Sequence, residues 1–488
     1  MVPGGADVQS FYAIKDMPLT GLACHGTACF VARHLHASRW QQAEEQSTRV
    51  HCFGHCHEGP ANADSSGWPQ MGVSSAHSIV LKRLIRGGTK TLEAYRKEGG
   101  YQALEQALTR SPESCVETLE RSELRGRGGA GFPVGRKWRA AAQARSSPKV
   151  LIANADEGDA GAYIDRCLLE RDPHAILEGM SIAAHAIGAN QGWIYLRREY
   201  SAARSSMESA LEELRQEGMV GPDAFGVGRP WDIQLHSGGG SYVCGEETAL
   251  IQALEGKRPQ VMARPPYATE HGLWRCPTVM QNVETLVNIP WIVQNGAEAY
   301  RTLGFSKSRG TKVLSLNSLF CRPGLYEVEF GIPLRRVVED LGGGLIPDSR
   351  LKGVLLGGPL AGVLPPSVLD VPLGFEELRA VGGSLGHGGM VAFDQHTSVL
   401  ELLHQVFAFA AAESCGKCTP CRLGSRRLER VLSEAVNVGA TRRWNAQDCE
   451  AVIHALRWSS LCGFGVGLAE FAQSILRHYR KELEPCLK

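Results

Sequence analysis

Short apolar runs alternate with amphipathic stretches between residues 78 and 308. Residues 150–153, 193–196 and 231–235 read as buried strands, too short for helices and bounded by polar and glycine-rich segments. Between the first two lies PHAILEGMSIAAHAIGAN. Its spacing predicts a helix with Asp172 as N-cap, Pro173 in the first turn and Gly188 at the C-terminal end. Strands alternating with helices imply a largely parallel α/β sheet. From 309 to 395 the pattern changes to β-like runs, VLSLNSL, GLYEVEF and GVLLGGPL, joined by Gly and Pro, which predict a small β-rich domain. From 396 to 488 helical periodicity returns in four stretches, the pattern of a compact four-helix bundle. Residues 1–75 form a further region, with four cysteines and six histidines in the first 57 positions. The polar, small-residue stretch at 62–77 reads as a linker.

Composition narrows the function classes. Fifty-two basic residues against 51 acidic give a net charge of +1, so no global field draws the chain to nucleic acid or to an anionic membrane. The N-terminal MVPGGADVQSFYAIKDM lacks a basic stretch leading into an apolar one. The apolar run at 406–412 is far below the ~20 residues that span a bilayer. A cytoplasmic protein without membrane insertion is expected. In a reducing compartment, clustered cysteines bind metal or carry redox chemistry more often than they form disulfides, and most of the 15 cysteines stand in clusters.

Cys415, Cys418 and Cys421 form C-x2-C-x2-C, and Cys462 returns 41 residues later in LCGFG. Three thiolates from one tight loop can hold three corners of a 4Fe–4S cubane while a distant fourth closes it. Zinc, which more often takes two separate C-x2-C pairs, and a chance grouping of core thiols are the alternatives. Residues 124–138, LRGRGGAGFPVGRKW, hold Gly126, Gly128 and Gly131 in G-x-G-x-x-G spacing. A dinucleotide fingerprint should follow a buried strand, whereas the preceding CVETLERSE reads as a polar helix. Closely spaced glycines still open backbone N–H groups to a ligand. Arg125, Arg127, Arg136 and Lys137 offer positive charge to a phosphate or an anionic ring; a flexible basic loop is the plain alternative. The strand at 150–153 runs into Asn154-Ala155-Asp156-Glu157-Gly158-Asp159, polar groups where open α/β sheets bind ligands. After 231–235, glycines 238–240 bend the chain, and Glu246 and Glu247 enter the first turn of a helix ending near Gly256. Those acids either complement the helix dipole or receive hydrogen bonds from a ribose or a ring.

The motifs RGRGGAGFPVGRKW, NADEGDAGAYIDR, GGGSYVCGEETAL, GLWRCPTVMQNVETL and SCGKCTPCRLG with LCGFG stand in this order. Together they resemble the NADH-binding flavoprotein subunit of respiratory complex I and its relatives in NAD-dependent formate dehydrogenases and bidirectional NiFe hydrogenases. The resemblance implies an α/β multidomain chain, with a Rossmann-like FMN/NADH domain at 78–308, a β-grasp domain at 309–395 and a helical 4Fe–4S domain at 396–488. It implies that Gly126, Gly128, Lys137, Asn154, Asp156, Glu246 and Asn282 contact FMN. Asp159, Phe132, Glu247, Arg264 and Tyr267 match positions around NADH, with Glu247 and Asp159 orienting the nicotinamide and its ribose. Cys415, Cys418, Cys421 and Cys462 match the cluster ligands. The implied reaction is that of a diaphorase, hydride exchange between NAD(H) and FMN coupled to single-electron exchange with the 4Fe–4S cluster. The chain departs from the family pattern at Asp159 (Glu in the family), Gln281 (commonly Asn), Arg264 (frequently Lys) and Ala140, where some members place an aromatic ring.

Cys24-x4-Cys29 and Cys52-x3-Cys56 resemble the ligand pattern of thioredoxin-like 2Fe–2S proteins that partner this flavoprotein. The 22-residue gap between the pairs is short for the full fold, so 1–75 is expected to be a truncated thioredoxin-like module holding a 2Fe–2S cluster. A relic docking module without a cluster, and a zinc site drawing on His25, His51, His55 and His57, are the alternatives. The fusion points to a NAD-dependent formate dehydrogenase, whose partners are a small thioredoxin-like 2Fe–2S subunit and a large molybdenum subunit. The diaphorase of a NAD-reducing hydrogenase and a complex I NADH dehydrogenase are alternatives. A zinc-stabilised binding or assembly module is the non-redox one.

Overall fold

The computed structural model describes residues 18–226, 228–438 and 445–486. Its first strand, β1 (Gln70–Ser74), joins a sheet built from the far half of the chain. Strands β2 (Val150–Ala155), β3 (Gln191–Leu196), β4 (Gly221–Ala224), β5 (Arg229–Ser237) and β6 (Thr278–Asn282) form a five-stranded sheet in the order β4-β5-β3-β2-β6. All neighbours pair in parallel except the edge strand β4. The apolar run of β2 is covered on both faces, as parallel strands between helices require. The chain builds outward from β2 through β3 to β5, and β6 then returns to the other side of β2. That reversal opens a crevice at the carboxyl ends of β2 and β6. Asn154 and Asn282 are register partners there.

Helix Pro173–Ile187 has almost every side chain buried and ends on Gly188 at φ +75°, the left-handed stop expected of it. Asp172 does not cap this helix with its side chain. Its buried carboxylate instead accepts Arg83 Nε at 2.7 Å and the Thr89 hydroxyl at 2.7 Å, because a charged donor is the stronger partner for a carboxylate away from water.

The hairpin β7 (Gly304–Phe305) and β8 (Ser308–Arg309) leads into the second sheet. Strands β9 (Thr311–Leu316), β10 (Gly324–Glu329), β11 (Leu351–Leu356), β12 (Val363–Leu364) and β13 (Gly389–Asp394) lie with β1 in the order β1-β10-β9-β13-β11-β12. β9 and β13 run parallel at the centre, and each pairs antiparallel with its outer neighbour. The stretch expected as a linker is therefore a joint, since β1 falls within it. Glu327, the register partner of Val73, is wholly buried. Its carboxylate takes the N–H groups of Ile79, Val80 and Leu81 and the hydroxyls of Ser78 and Thr311. Five donors on one carboxylate fix the turn that follows β1, so the boundary expected near residue 75 runs through the second sheet.

Among the described residues of 18–69, strand pairing is limited to the bridges Ala23↔Asn62 and Cys24↔Val50. The short helix Thr27–Val31 packs between β13 and helix Val399–Glu413. At the other end, Val399–Glu413, Thr419–Val438, Ala446–Ser459 and Gly463–Leu483 form the expected helical bundle. One continuous apolar core runs from Cys24 through the parallel sheet to Cys486. Among the described residues no helix is long and apolar enough to cross a membrane.

The two sheets are pinned by an ion pair with both side chains at 0% exposure, Lys312 of β9 and Glu284 of helix Val283–Asn295. Glu284 also accepts the Val313 N–H at 3.0 Å. Lys312→Met strands the Glu284 charge and is expected to destabilise the protein by about 3–5 kcal/mol. Adding Glu284→Gln should restore more than half of that loss, as measured by chemical denaturation of the two variants.

Candidate functional site

The glycine loop runs from helix Pro112–Arg121 to helix Val134–Gln143, so no strand precedes it. Gly126 N–H donates to Phe132 O, and Val134 N–H to Leu124 O, each at 2.9 Å, which narrows the loop at its base. Gly131 stands at φ +61°. A Cβ on Gly128 would come within 2.9 Å of the Asn282 Cβ, so the loop lies directly against the end of β6. The basic residues do not share one role. Arg127 is fully buried and donates to Arg125 O, Tyr300 Oη and Arg309 O. Arg125 donates to Gly131 O and Glu376 and lies over Phe375. Arg136 is exposed. Only Lys137 serves the crevice, with Nζ donating to Glu247 at 2.6 Å and to Met280 O at 3.2 Å.

The loop after β2 supplies the facing wall. Asn154 donates to Gly245 O at 3.0 Å and accepts the Asp156 N–H at 3.1 Å. Asp156 is buried, and burial pushes its carboxyl well above the usual carboxylate range. Its Oδ2 has no partner among the described residues and lies 3.3 Å from where a Cβ on Gly245 would sit. Glu246 caps helix Glu247–Leu254, taking the amides of Thr248 and Ala249 at 2.9 and 3.0 Å, and pairs with Arg264. Asp159 accepts the Tyr242 hydroxyl at 2.6 Å, and burial raises its carboxyl too. Phe132 and Tyr267 present rings that are 50% and 54% exposed. Gln281 is buried with its Nε2 unpartnered among the described residues. An orphan carboxylate oxygen, an orphan amide and a loop without side-chain bulk fit a flat polar ligand such as a flavin.

Cys415, Cys418, Cys421 and Cys462 line one small apolar cavity with Val243 and Phe464. Gly416 at φ +77° turns the cysteine loop, and Cys462 stands at the start of helix Gly463–Leu483. Burial pushes Cys421 up to about 12 and Cys462 to about 11. Among the described residues no three of these thiols lie within 4.8 Å of one another. A tetrahedral zinc ion with bonds of about 2.3 Å draws its sulfurs to roughly 3.8 Å apart. The wider set suits a cluster. The short turn Tyr242–Gly245 spans both places: its Gly245 carbonyl meets Asn154, its Val243 lines the thiol cavity, and Tyr242 packs edge-on against Phe409 and Phe464.

The four N-terminal thiols are buried in two close pairs. Cys52 and Cys56 lie 3.6 Å apart, and Cys24 hydrogen-bonds Cys29. Amides of Gly26, Gly54 and Ala61 donate to Cys24, Cys52 and Cys29 at 3.3, 3.2 and 3.4 Å. The Gly161 amide, from the loop after β2, also donates to Cys52. The Cys56 hydrogen bond, Arg197 and the Gly54 and Gly161 amides pull the Cys52 thiol below its ordinary value against the effect of burial. The nearby histidines group differently: His55 and His57 gather with Glu58, while His25 packs on Trp40 and His51 on Phe409. Sequence reasoning missed Tyr242, Asp165, Arg197 and His387, although GGGSYVCGEET and LGHGG flag two of them by flanking glycines.

The fold and site define a flavin- and iron–sulfur-binding redox subunit. Residues 119–291 match the Nuo51 FMN-binding domain. Residues 401–486 match the iron–sulfur binding region of NADH-ubiquinone oxidoreductase F. Over 405 residues the chain is 41% identical to the NADH-quinone oxidoreductase F 2 subunit of Rhizobium meliloti (strain 1021), covering 83% of this chain and 96% of that one. It is 40% identical to the NADP-reducing hydrogenase subunit HndC of Solidesulfovibrio fructosivorans, over 81% of this chain and 80% of that one. Among solved structures, the air-oxidised NAD+-reducing [NiFe]-hydrogenase superposes with a TM-score of 0.81 at 28% identity, over 99% of this chain and 88% of that one. The chain belongs to the family of NADH-quinone oxidoreductase F subunits. Its cofactors are FMN, NAD(H) and a 4Fe–4S cluster, and it is the NADH-oxidising component of an enzyme of the complex I or NAD-reducing hydrogenase type.

Glu246→Ala removes the helix cap and frees Arg264, at an expected cost of about 1 kcal/mol. Amide hydrogen exchange at Thr248 and Ala249 should speed up in that variant and stay closer to the parent in Glu246→Gln.

Proposed function

We propose that the chain is a diaphorase subunit that exchanges hydride between NAD(H) and FMN in the β2/β6 crevice and single electrons with the 4Fe–4S cluster. The observation carrying this reading is the Tyr242–Gly245 turn, which touches Asn154 on one side and the thiol cavity on the other. When bound, FMN supplies the conversion between two-electron and one-electron chemistry, and the protein supplies position and charge. Gly126 and Gly128 leave room for the ligand to reach backbone amides. Lys137 provides the positive charge and holds Glu247, while the free oxygen of Asp156 accepts a hydrogen bond. Asn154, Glu246 and Asn282 complete the flavin contacts. Glu247 and Asp159 orient the nicotinamide and ribose, and Phe132, Arg264 and Tyr267 border them. Cys415, Cys418, Cys421 and Cys462 ligate the 4Fe–4S cluster. No side chain acts as a nucleophile.

The same proposal assigns a 2Fe–2S cluster to Cys24, Cys29, Cys52 and Cys56, in a trimmed thioredoxin-like module. Two close thiol pairs suit two irons, one pair on each, and amide N–H groups donating to the ligand sulfurs are usual around such clusters. For the parent enzyme we favour a NAD-dependent formate dehydrogenase with a large molybdenum subunit and a small 2Fe–2S subunit, on the strength of the fused cysteine module. A NAD-reducing hydrogenase is the second reading, favoured by a likeness that extends over 99% of the chain.

An anaerobic NADH titration, followed by flavin absorbance, low-temperature EPR and metal analysis, tests both levels. Flavin bleaching with about six irons per chain, four and two, and two distinct EPR signals is expected. Bleaching with a 4Fe–4S signal alone would keep the diaphorase and remove the N-terminal cluster, and no bleaching would sink the reading. Cys462→Ser should lose the 4Fe–4S signal and keep FMN, while Cys52→Ser should lose only the second signal. Molybdenum in the isolated complex supports formate chemistry; nickel supports hydrogen chemistry.

A further inference from the structure

His387 lies in the Gly386–Gly388 turn that leads into β13, and this turn packs against the glycine loop: a Cβ on Gly129 would sit 3.4 Å from Gly386. The imidazole is buried. Its Nε2 lies 3.2 Å from Asp165 Oδ2 and 3.1 Å from Asn282 Nδ2, and that amide donates to the same Asp165 oxygen at 2.7 Å, so ring and amide converge on one carboxylate oxygen. Asn282 in turn caps helix Val283–Asn295 and backs Gly128. The backbone N–H of His387 donates to Asp159. One residue of the turn before β13 thus touches two walls of the crevice. Asp165 has no exposed side-chain surface, and its Oδ1 has no partner among the described residues. Bonded this way, its carboxylate has the ring as its one cationic neighbour within 4 Å among the described residues.

We propose that His387 is a positioning residue of the flavin site: as an imidazolium it clamps Asp165, and through it Asn282, and it sets a positive charge behind the crevice that favours the more negative, reduced form of the bound flavin. The inference rests on the crevice being the FMN site. A metal ion among Glu157, Asp165 and His387, which come within 4.8 Å of one another, is the competing use of these groups. Glu157 argues against it, since both its oxygens are engaged by the amides of Asp165 and Arg166 and the hydroxyl of Tyr200. The charged and titratable groups facing the ring are Asp165 on helix Ile164–Arg171, Glu157 and Asp159 on the loop after β2, and Lys312 on β9, itself paired with Glu284. Burial alone would push the imidazole down; the Asp165 carboxylate, its hydrogen bond and Glu157 outweigh it and hold the ring at about 9. A folded value raised above the ordinary histidine value means that the clamp is complete at neutral pH and below, and is lost as pH rises through about 9.

The test uses the full FMN-loaded chain and its His387→Gln and His387→Ala variants. The two-electron flavin midpoint is read by spectroelectrochemistry from about pH 6 to 10, FMN dissociation by flavin fluorescence, and the ring itself by NMR of the apoprotein. In the parent, the midpoint should steepen its fall with pH near 9. His387→Gln should keep FMN within about threefold of the parent affinity, lack that break, and at neutral pH lose about tenfold in preference for reduced flavin, or about 30 mV. His387→Ala should release FMN about tenfold more readily, because Asn282 loses its backing. A His387→Gln midpoint that overlays the parent across the range would overturn the proposal. So would an apoprotein imidazole that titrates near its ordinary value of about 6.5. A parent chain that bound no FMN would instead sink the flavin assignment of the crevice, and the apoprotein titration would still decide the clamp.

Discussion

The shape of the crevice depends on one buried carboxylate, that of Glu157. Its backbone sits at φ +35°, a left-handed conformation that costs a non-glycine residue of order 1–3 kcal/mol. The side chain folds back to take the amides of Asp165 at 2.8 Å and Arg166 at 2.9 Å, which are free donors in the first turn of helix Ile164–Arg171. Tyr200 adds a hydroxyl at 3.0 Å, and the Glu157 carbonyl accepts Arg197 at 2.6 Å. These four bonds offset the strained turn and hold the loop between Asn154 and Tyr163 in a single course. One edge of that loop presents Asn154, Asp156 and Asp159; the other sends the Gly161 amide to Cys52. Burial and the neighbouring Asp165 push the Glu157 carboxyl above the usual carboxylate range.

From that pinned loop the sites diverge in surroundings. The cavity of Cys415, Cys418, Cys421 and Cys462 is largely apolar, with Lys417 in its lining, the Ser414 hydroxyl near Cys421 and the Phe464 amide near Cys462. The N-terminal thiols face amides of Gly26, Gly54, Ala61 and Gly161, and Arg197 lies close to Cys52. Hydrogen bonds to sulfur and nearby positive charge both stabilise the more reduced, more negative state of an iron–sulfur centre. The N-terminal set therefore has more backbone amide donors to sulfur than the C-terminal set, and these are groups that side-chain substitution barely touches.

Much of this was legible in local sequence. The three central strands of the parallel sheet, the helix ended by Gly188, the helical bundle and the cysteine spacing all follow from patterns within a few residues of one another. What escaped depends on distant partners. Arg127 looked like a ligand-binding cation, yet Tyr300 and Arg309 bury it from a segment far down the chain. Asp172 looked like a helix cap, yet Arg83 reaches it from upstream. The QMGVS of β1 carries too few apolar residues to announce a strand, and it becomes one only because β10 offers an edge for it to pair with. Flanking glycines single out His387, but nothing near it in sequence shows that Asp165 and Asn282 converge on its ring.

The N-terminal cysteines raise a physical question that their spacing alone leaves open, whether a short fused module is an appendage or part of the machine. Four interactions answer it. Arg197 donates to Cys52 O at 2.9 Å while also holding Glu157, and Arg166 donates to Gly54 O at 2.9 Å from the helix that Glu157 caps. Ser318, just beyond β9, donates its amide to Cys56 O at 3.0 Å. Gln405 of helix Val399–Glu413 reaches His25 O at 2.8 Å. The module is thus stitched to the parallel sheet, the second sheet and the helical bundle at once, around buried Phe30, Val31 and Phe53 that belong to the common core. Tethering in the same chain removes the translational cost of bringing such a module to the loop. Its thiols are drawn into two pairs and met by amides, three from the module and one, Gly161, from the loop after β2, so the cysteine set is built into the same packing that shapes the crevice.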